Sequence, residues 1–91
     1  PLSNCPTPEG VLKSQIDNNR IQIEALESEL ATKKQAIDSN RYQSRSEYNR
    51  AVDEYNELAR RLNSLVELTK NLVNEYNQQV NSFNQCLEKN A

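Results

Sequence analysis

Two cysteines lie near opposite ends of a chain whose interior contains nothing that must break a helix. Cys5 and Cys86 are the only two cysteines, and neither glycine nor proline occurs after Gly10. One continuous helix would hold the two thiols far apart, whereas a chain folded back on itself would bring them together. This placement predicts a helical hairpin whose open end is closed by one disulfide, in an oxidising, extracytoplasmic compartment.

Apolar residues recur every seven positions in both halves of the chain, as in a coiled coil. The predicted core residues of the first half are Leu12, Ile16, Ile23, Leu26, Leu30 and Ile37. Those of the second half are Tyr48, Tyr55, Leu58, Leu62, Leu65, Leu72, Tyr76 and Phe83. The two repeats are out of phase, because the interval from residue 37 to residue 48 is eleven and not a multiple of seven.

The interval between the repeats has two interpretations. Residues 38–47 contain no aliphatic side chain, and Ser44 and Glu47 have the spacing of a capping box that opens a helix. A turn at this point gives an antiparallel hairpin. An eleven-residue stutter within one continuous helix gives a parallel coiled coil instead. We favour the turn, since it also explains the positions of the two cysteines.

Capping residues predict where each helix begins. Thr7, Pro8 and Glu9 have the order of a helix start: a hydroxyl cap, a proline at the first helical position and an acidic side chain. We predict one domain over 1–91, with an extended N-terminal strap over 1–6, helix one over 7–41, a turn over 42–45 and helix two over 46–90. The fold class is all-α: an antiparallel two-helix coiled-coil hairpin, closed by one disulfide and self-associating into a four-helix bundle.

One antiparallel register pairs the a positions of each helix with the d positions of the other along the whole seam. In it, the numbers of facing residues add up to 88. Two polar residues then also find partners, because Asn19 faces Thr69 and Lys33 lies beside Tyr55, whose ring can cover the lysine stem. The same register brings the two cysteines close together, since extended residues cover more length than helical ones.

An asparagine follows the large side chain at position a in most repeats of helix two. These asparagines are Asn49, Asn56, Asn63, Asn77 and Asn84. Aromatic rings at helical spacing can stack on sugars or bases, but core rings beside solvated b positions explain the same pattern. We expect the rings to lie against helix one and, for Tyr76 and Phe83, against the proline-containing strap.

Helix two carries a third apolar row at its e positions. This row consists of Val52, Ala59, Val66, Val73, Val80 and Leu87, whereas the e positions of helix one include Arg20, Glu27 and Lys34. Packing within one hairpin covers a single seam, so we expect the row to be exposed, and monomers rarely expose a contiguous apolar strip. The row is therefore predicted to be an interface, either with a second copy in a dimer or with another helical protein.

Basic residues cluster around the predicted turn. The segment 33–50 contains five basic and two acidic residues, a net charge of +3. Its Arg41, Arg45 and Arg50 form a candidate anion-binding tip, because clustered arginines bind phosphates, carboxylates or an anionic membrane surface. A solvated turn accounts for the same residues, and we prefer that interpretation.

Several functional classes are disfavoured by what the sequence lacks. The net charge of −2 argues against a nucleic-acid partner, and the chain has no histidine and no metal-spaced ligand set. No apolar run reaches the length of a membrane span. We expect no enzymatic activity, no cofactor and no bound metal. The chain begins at Pro1 without a methionine, so we expect a processed or excised fragment.

Together these features predict a non-enzymatic structural or adaptor module of a secreted, periplasmic or cell-envelope protein. It would act through protein–protein contacts on the apolar face of helix two. One alternative is a parallel coiled-coil stalk segment of a larger envelope or fibrous protein, in which disulfides join separate chains. Another is a four-helix bundle that binds an apolar ligand in a channel lined by the valines and tyrosines.

Overall fold

The chain folds as two long helices packed against each other. A computed structural model describes residues 4–39 and 41–90. Helix α1 spans Gly10–Ser39 and helix α2 spans Arg45–Lys89, and the molecule measures 70 × 16 × 14 Å. The predicted all-α helical hairpin is confirmed, and no strand occurs in the described ranges. The interval between the repeats is a turn and not a stutter, because α1 ends before α2 begins.

Helix α2 begins where the capping residues predict, within one residue. Ser44 has extended backbone angles, and its Oγ accepts a hydrogen bond from the N–H of Glu47 at 3.1 Å. The return bond differs from a regular capping box, since the carboxylate of Glu47 accepts from the N–H of Gln43 at 3.2 Å. Both bonds satisfy backbone N–H groups that would otherwise lack a partner at the entrance to the helix.

Helix α1 is shorter than predicted at both ends. It begins at Gly10 rather than Thr7, and its first backbone bond runs from the N–H of Lys13 to the carbonyl of Glu9 at 3.3 Å. The N–H of Glu9 instead donates a hydrogen bond to Oε1 of Gln79 on α2 at 2.8 Å. This bond across the hairpin holds the preceding residues along α2, where they cannot continue the helix.

The other boundaries of the prediction need similar correction. Helix α1 ends at Ser39, whose Oγ donates to the carbonyl of Ala36 at 2.9 Å. The predicted strap is not uniformly extended, because Asn4 belongs to a 3₁₀ turn and Cys5 to a bend. The chain turns there to present the sulfur of Cys5 to α2. Residues 1–3, 40 and 91 of the prediction lie outside the described residues.

Two contacts across the hairpin lie at the predicted register or within one residue of it. The numbers of Glu9 and Gln79, which share two hydrogen bonds, add up to 88. Those of Lys33 and Glu54, whose Nζ and Oε2 atoms lie 3.8 Å apart, add up to 87. The hydroxyl of Thr69 donates within its own helix, to the carbonyl of Leu65 at 2.7 Å. The hydroxyl of this buried residue therefore has a hydrogen-bond partner without a contact from the facing helix.

The core is thin and is tightest toward the closed end. The buried residues among those described are Cys5, Leu12, Ile16, Leu58 and Thr69. The remaining predicted core residues are half-buried: Ile23, Leu26, Leu30, Ile37, Tyr48, Tyr55, Leu62, Leu65, Leu72, Tyr76 and Phe83. None of the described side chains falls below 2% exposure. Two helices alone give a single layer of side chains, which cannot be enclosed from all sides.

Candidate functional site: the apolar strip of α2

The e positions of α2 form a continuous row along the helix, which we call the apolar strip. It consists of Val52, Ala59, Val66, Val73, Val80 and Leu87, and all of these residues are half-buried. The row is therefore less exposed than the packing of one seam led us to expect. The large apolar side chains with the greatest exposure lie elsewhere, at Val11, Ile21 and Leu68. These three are scattered, as is normal on protein surfaces, whereas the strip is continuous.

The centre of the strip borders a shallow groove on the flank of the hairpin. This groove has a volume of about 520 Å³ and is lined by Arg20, Ile23, Val66, Thr69, Lys70, Val73 and Asn74. Arg20 comes from α1, and side chains of this length shield nearby apolar surface with their methylene stems. Its presence beside Val66 and Val73 explains why the valines are only half exposed.

The strip is bordered on both sides by exposed polar residues. The outer border, at the b positions of α2, consists of Asn49, Asn56, Asn63, Lys70, Asn77 and Asn84, all exposed. The inner border, on α1, includes Arg20, Glu27 and Lys34, which are also exposed. An apolar centre with a polar, solvated rim is the usual composition of a protein–protein interface.

The two cysteines are joined as the sequence predicts. The sulfurs of Cys5 and Cys86 lie 2.05 Å apart and their Cα atoms 5.7 Å apart, across a sequence separation of 81 residues. Cys5 is buried, and Nδ2 of Asn90 lies 3.7 Å from its sulfur and 3.5 Å from that of Cys86. The bond lies within one chain, whereas the stalk alternative pairs cysteines of separate chains.

The basic tip contains an aromatic pair that sequence reasoning missed. The rings of Tyr42 and Tyr48 meet edge to face, with centroids 6.1 Å apart. Arg45 lines a groove of about 640 Å³ beside both rings, and Arg41 lines a second groove of about 600 Å³ beside Tyr42. Tyr42 lies outside both seven-residue repeats, so the only signal was a large ring within an otherwise polar turn.

The three arginines of the tip remain available to other groups. Arg41, Arg45 and Arg50 are exposed, and none of the ion pairs among the described residues includes them. The structure places Arg41 and Arg45 on two sides of Tyr42, while Arg50 lies more than one turn further along α2. The three residues are therefore a spread positive surface rather than a convergent pocket.

The rings at the other end of α2 lie where the repeats predict. Tyr76 and Phe83 are half-buried, and Phe83 lines a groove of about 480 Å³ together with Pro6 and Thr7. The N-terminal arm therefore lies beside this part of α2, as expected. A ring in that position is partly covered by its own chain and is not free to stack on a sugar or a base.

The described residues contain few features of other functional classes. No described helix is long and apolar enough to cross a bilayer. Within residues 4–39 and 41–90, no group of three or more metal-binding side chains comes together. The grooves lie on the outside of a two-helix molecule, so none of those described here encloses a small molecule as enzyme pockets do.

Comparisons of the sequence with protein-family models, with curated proteins and with solved structures each found no match. The apolar strip and the closed hairpin that supports it are therefore the basis on which a function can be proposed.

Proposed function

We propose that this chain is a non-enzymatic structural or adaptor module that binds a helical surface through the apolar strip. The observation that carries this proposal is the strip itself, which runs along α2 between two exposed polar borders. Helices recognise one another by seating apolar rows at this spacing against a complementary row. The occupant is either a second copy of the chain or another helical protein.

The thin core supports the same proposal. Most seam residues are only half-buried, because each helix has one neighbour instead of the two or more that a bundle provides. A further helix against the strip would bury both the strip and the flank of the seam. Such burial stabilises by roughly 25 cal/mol for each Å² of apolar surface removed from water.

The disulfide supports a location outside the cytoplasm. A bond between Cys5 and Cys86 forms and persists in oxidising compartments, such as the periplasm, the cell surface or the extracellular space. We therefore propose that the module belongs to a secreted, periplasmic or cell-envelope protein. The closed hairpin would present the strip on a rod about as long as α2 itself.

The test replaces two central residues of the strip, Val66 and Val73, with lysine. Both lie on the flank rather than the seam, so the double variant should keep its helical circular dichroism. Self-association, measured by sedimentation equilibrium, should fall at least tenfold, because two charges would enter an apolar contact. The matched control is Ser64→Lys with Asn71→Lys at exposed positions on the face of α2 away from the strip, which adds the same charge outside the proposed contact.

Two outcomes decide between the strip and the rest of the surface. Loss of association in the strip variant, but not in the control variant, would support the proposal. Unchanged association in the strip variant would contradict it. A hydrophobic dye distinguishes the apolar-ligand alternative from the proposed function. A bundle with an apolar channel would bind the dye while remaining fully helical.

A further inference from the structure

The molecule exposes more surface than a compact protein of its size. Its accessible surface is 6983 Å², whereas a compact 10.5 kDa monomer exposes about 5,400 Å². The excess is roughly 1,600 Å², and each partner of a standard interface buries about 800 Å². One flank of this rod can therefore supply the area that a stable dimer needs.

We propose that the occupant of the apolar strip is a second copy of this chain, running antiparallel to the first, with the two-fold axis beside Val66. This inference rests on the proposed function and makes it specific. A two-fold interface must match itself, so each residue of the strip must meet a suitable residue of the same strip in reverse order. Three features of the molecule satisfy that requirement.

The first feature is the position of the strip along α2. Val66 lies next to the midpoint of the helix, which spans Arg45–Lys89. An antiparallel pair centred there overlaps along nearly the whole helix. Val66 then meets its own copy, and Ala59 meets the partner's Val73. A small side chain opposite a larger one allows the two helices to approach closely.

The second feature is the asparagine border. With the axis beside Val66, Asn56 lies opposite the partner's Asn77, Asn49 opposite the partner's Asn84, and Asn63 opposite the partner's Lys70. A side-chain amide carries both donors and an acceptor, so two facing asparagines can bond each other in both directions, and the oxygen of Asn63 can accept from the lysine. The outer border of one copy would therefore match that of the other along the rim.

The third feature is the charge of the inner border. Arg20 lines the central groove with Val66 and Val73, and Glu27 lies one seven-residue repeat further along α1. In the antiparallel pair, Arg20 faces the partner's Glu27, and the symmetry repeats this contact.

Two like-charged contacts oppose this pairing. Arg20 also lies about 6 Å along the axis from the partner's Arg20, and Lys13 lies near the partner's Lys34. The second contact is weakened because Lys13 lies 3.9 Å from the carboxylate of Asp17.

The ends of the rod decide between antiparallel and parallel pairing. The turn end, over residues 33–55, contains five basic and four acidic residues, a net charge of +1. The closed end contains Glu9, Glu75 and Glu88 against Lys13 and Lys89, a net charge of −1. Antiparallel pairing places each positive end beside the partner's negative end, whereas parallel pairing would place the two positive ends together. Opposite charge favours the first arrangement and disfavours the second.

Cross-linking at the axis tests the geometry directly. Val66→Cys would place the two new thiols beside each other, and a short bismaleimide should join them into a covalent dimer. Val73→Cys is the control, because each copy of that residue lies seven residues from the axis. Its two thiols would be about 21 Å apart at 1.5 Å for each helical residue. The native disulfide remains closed in both variants.

Charge reversal tests the same register without cross-linking. Arg20→Glu alone, or Glu27→Arg alone, places like charges together twice and should weaken dimerisation about fivefold, the scale of exposed ion pairs. The double variant restores opposite charges and should recover the original dissociation constant. Recovery would support the antiparallel register, because a general loss of stability would not be reversed by the second change.

The outcomes separate this inference from the proposed function. Cross-linking at residue 66 but not at residue 73 supports the antiparallel pair. Equal cross-linking at both positions indicates parallel pairing and overturns it. A wild-type chain that remains monomeric at millimolar concentration also overturns it, but leaves the strip available to another helical protein. Dimers that survive the lysine substitutions at residues 66 and 73 contradict the strip itself, and the proposed function with it.

Discussion

The two ends of this hairpin are held in different ways. At the closed end, a disulfide joins residues 81 positions apart, and Glu9 bonds Gln79 through both backbone and side chain. At the turn, the described hydrogen bonds join Ser44 and Gln43 to Glu47, only three and four residues away. One end depends on contacts between distant parts of the chain, and the other on local capping.

The packing at each end follows from this difference. Leu12 and Ile16, near the closed end, are buried, whereas Ile37 and Tyr48, near the turn, are half-buried and border open grooves. A covalent bond and an arm along α2 hold side chains together at one end. At the other end, the short connection between Ser39 and Arg45 positions the helices but covers little of their surface. The comparison predicts that the two ends contribute unequally to stability.

The largest effect should come from opening the disulfide. Replacing Cys5 and Cys86 with serine should lower the free energy of unfolding by about 4 kcal/mol, because the unfolded chain is no longer closed into a long loop. Guanidinium unfolding followed by circular dichroism measures the loss. The measurement should be made at low concentration, where association adds little. A loss below about 1 kcal/mol would mean that packing, and not the covalent bond, secures that end.

A smaller effect should distinguish core positions at the two ends. Ile16→Ala should cost about 3 kcal/mol, because it removes a buried side chain and leaves a cavity. Ile37→Ala should cost roughly 1 kcal/mol, since that side chain is only half-buried and the site is open to water. The same unfolding experiment compares the two variants. Equal losses would contradict the difference in packing between the closed end and the turn.

The smallest effect should come from the cap of α2. Ser44→Ala removes the acceptor for the N–H of Glu47 and should cost about 1 kcal/mol. Ser46→Ala, two residues further along, is the matched control and should change stability by only a few tenths of a kcal/mol. Amide hydrogen exchange in the first turn of α2 should rise in the first variant alone. Equal exchange in both would show that the cap does not hold the turn.

Much of the fold was predictable because it depends on the spacing of apolar residues along the chain. The seven-residue repeats identify the faces of both helices, and their change of phase locates the turn. The capping residue Ser44 was predictable because its bond is local. The cysteine pair was predicted from the positions of the two residues near opposite ends of the chain, and the register derived from the apolar repeats also brings them close together.

Other features depend on contacts that spacing does not reveal. The later start of α1 depends on the hydrogen bonds between Glu9 and Gln79. These bonds exist only where the N-terminal arm lies against α2. The groove beside Val66 and Val73 is lined in part by Arg20, whose side chain comes from the other helix. The pairing of Tyr42 with Tyr48 depends on how the turn bends. Predicting each of these features requires the three-dimensional positions of residues that the seven-residue repeats do not relate to one another.

The bond between Cys5 and Cys86 makes the polypeptide between them a closed ring. Arg41 and Arg45 are exposed at the turn of this ring, where a trypsin-like protease would cleave the backbone. Cleavage of one peptide bond there would divide the chain into an N-terminal and a C-terminal peptide. The two peptides would stay covalently joined, because Cys5 of the first is bonded to Cys86 of the second. The two halves would then separate only after both cleavage and reduction.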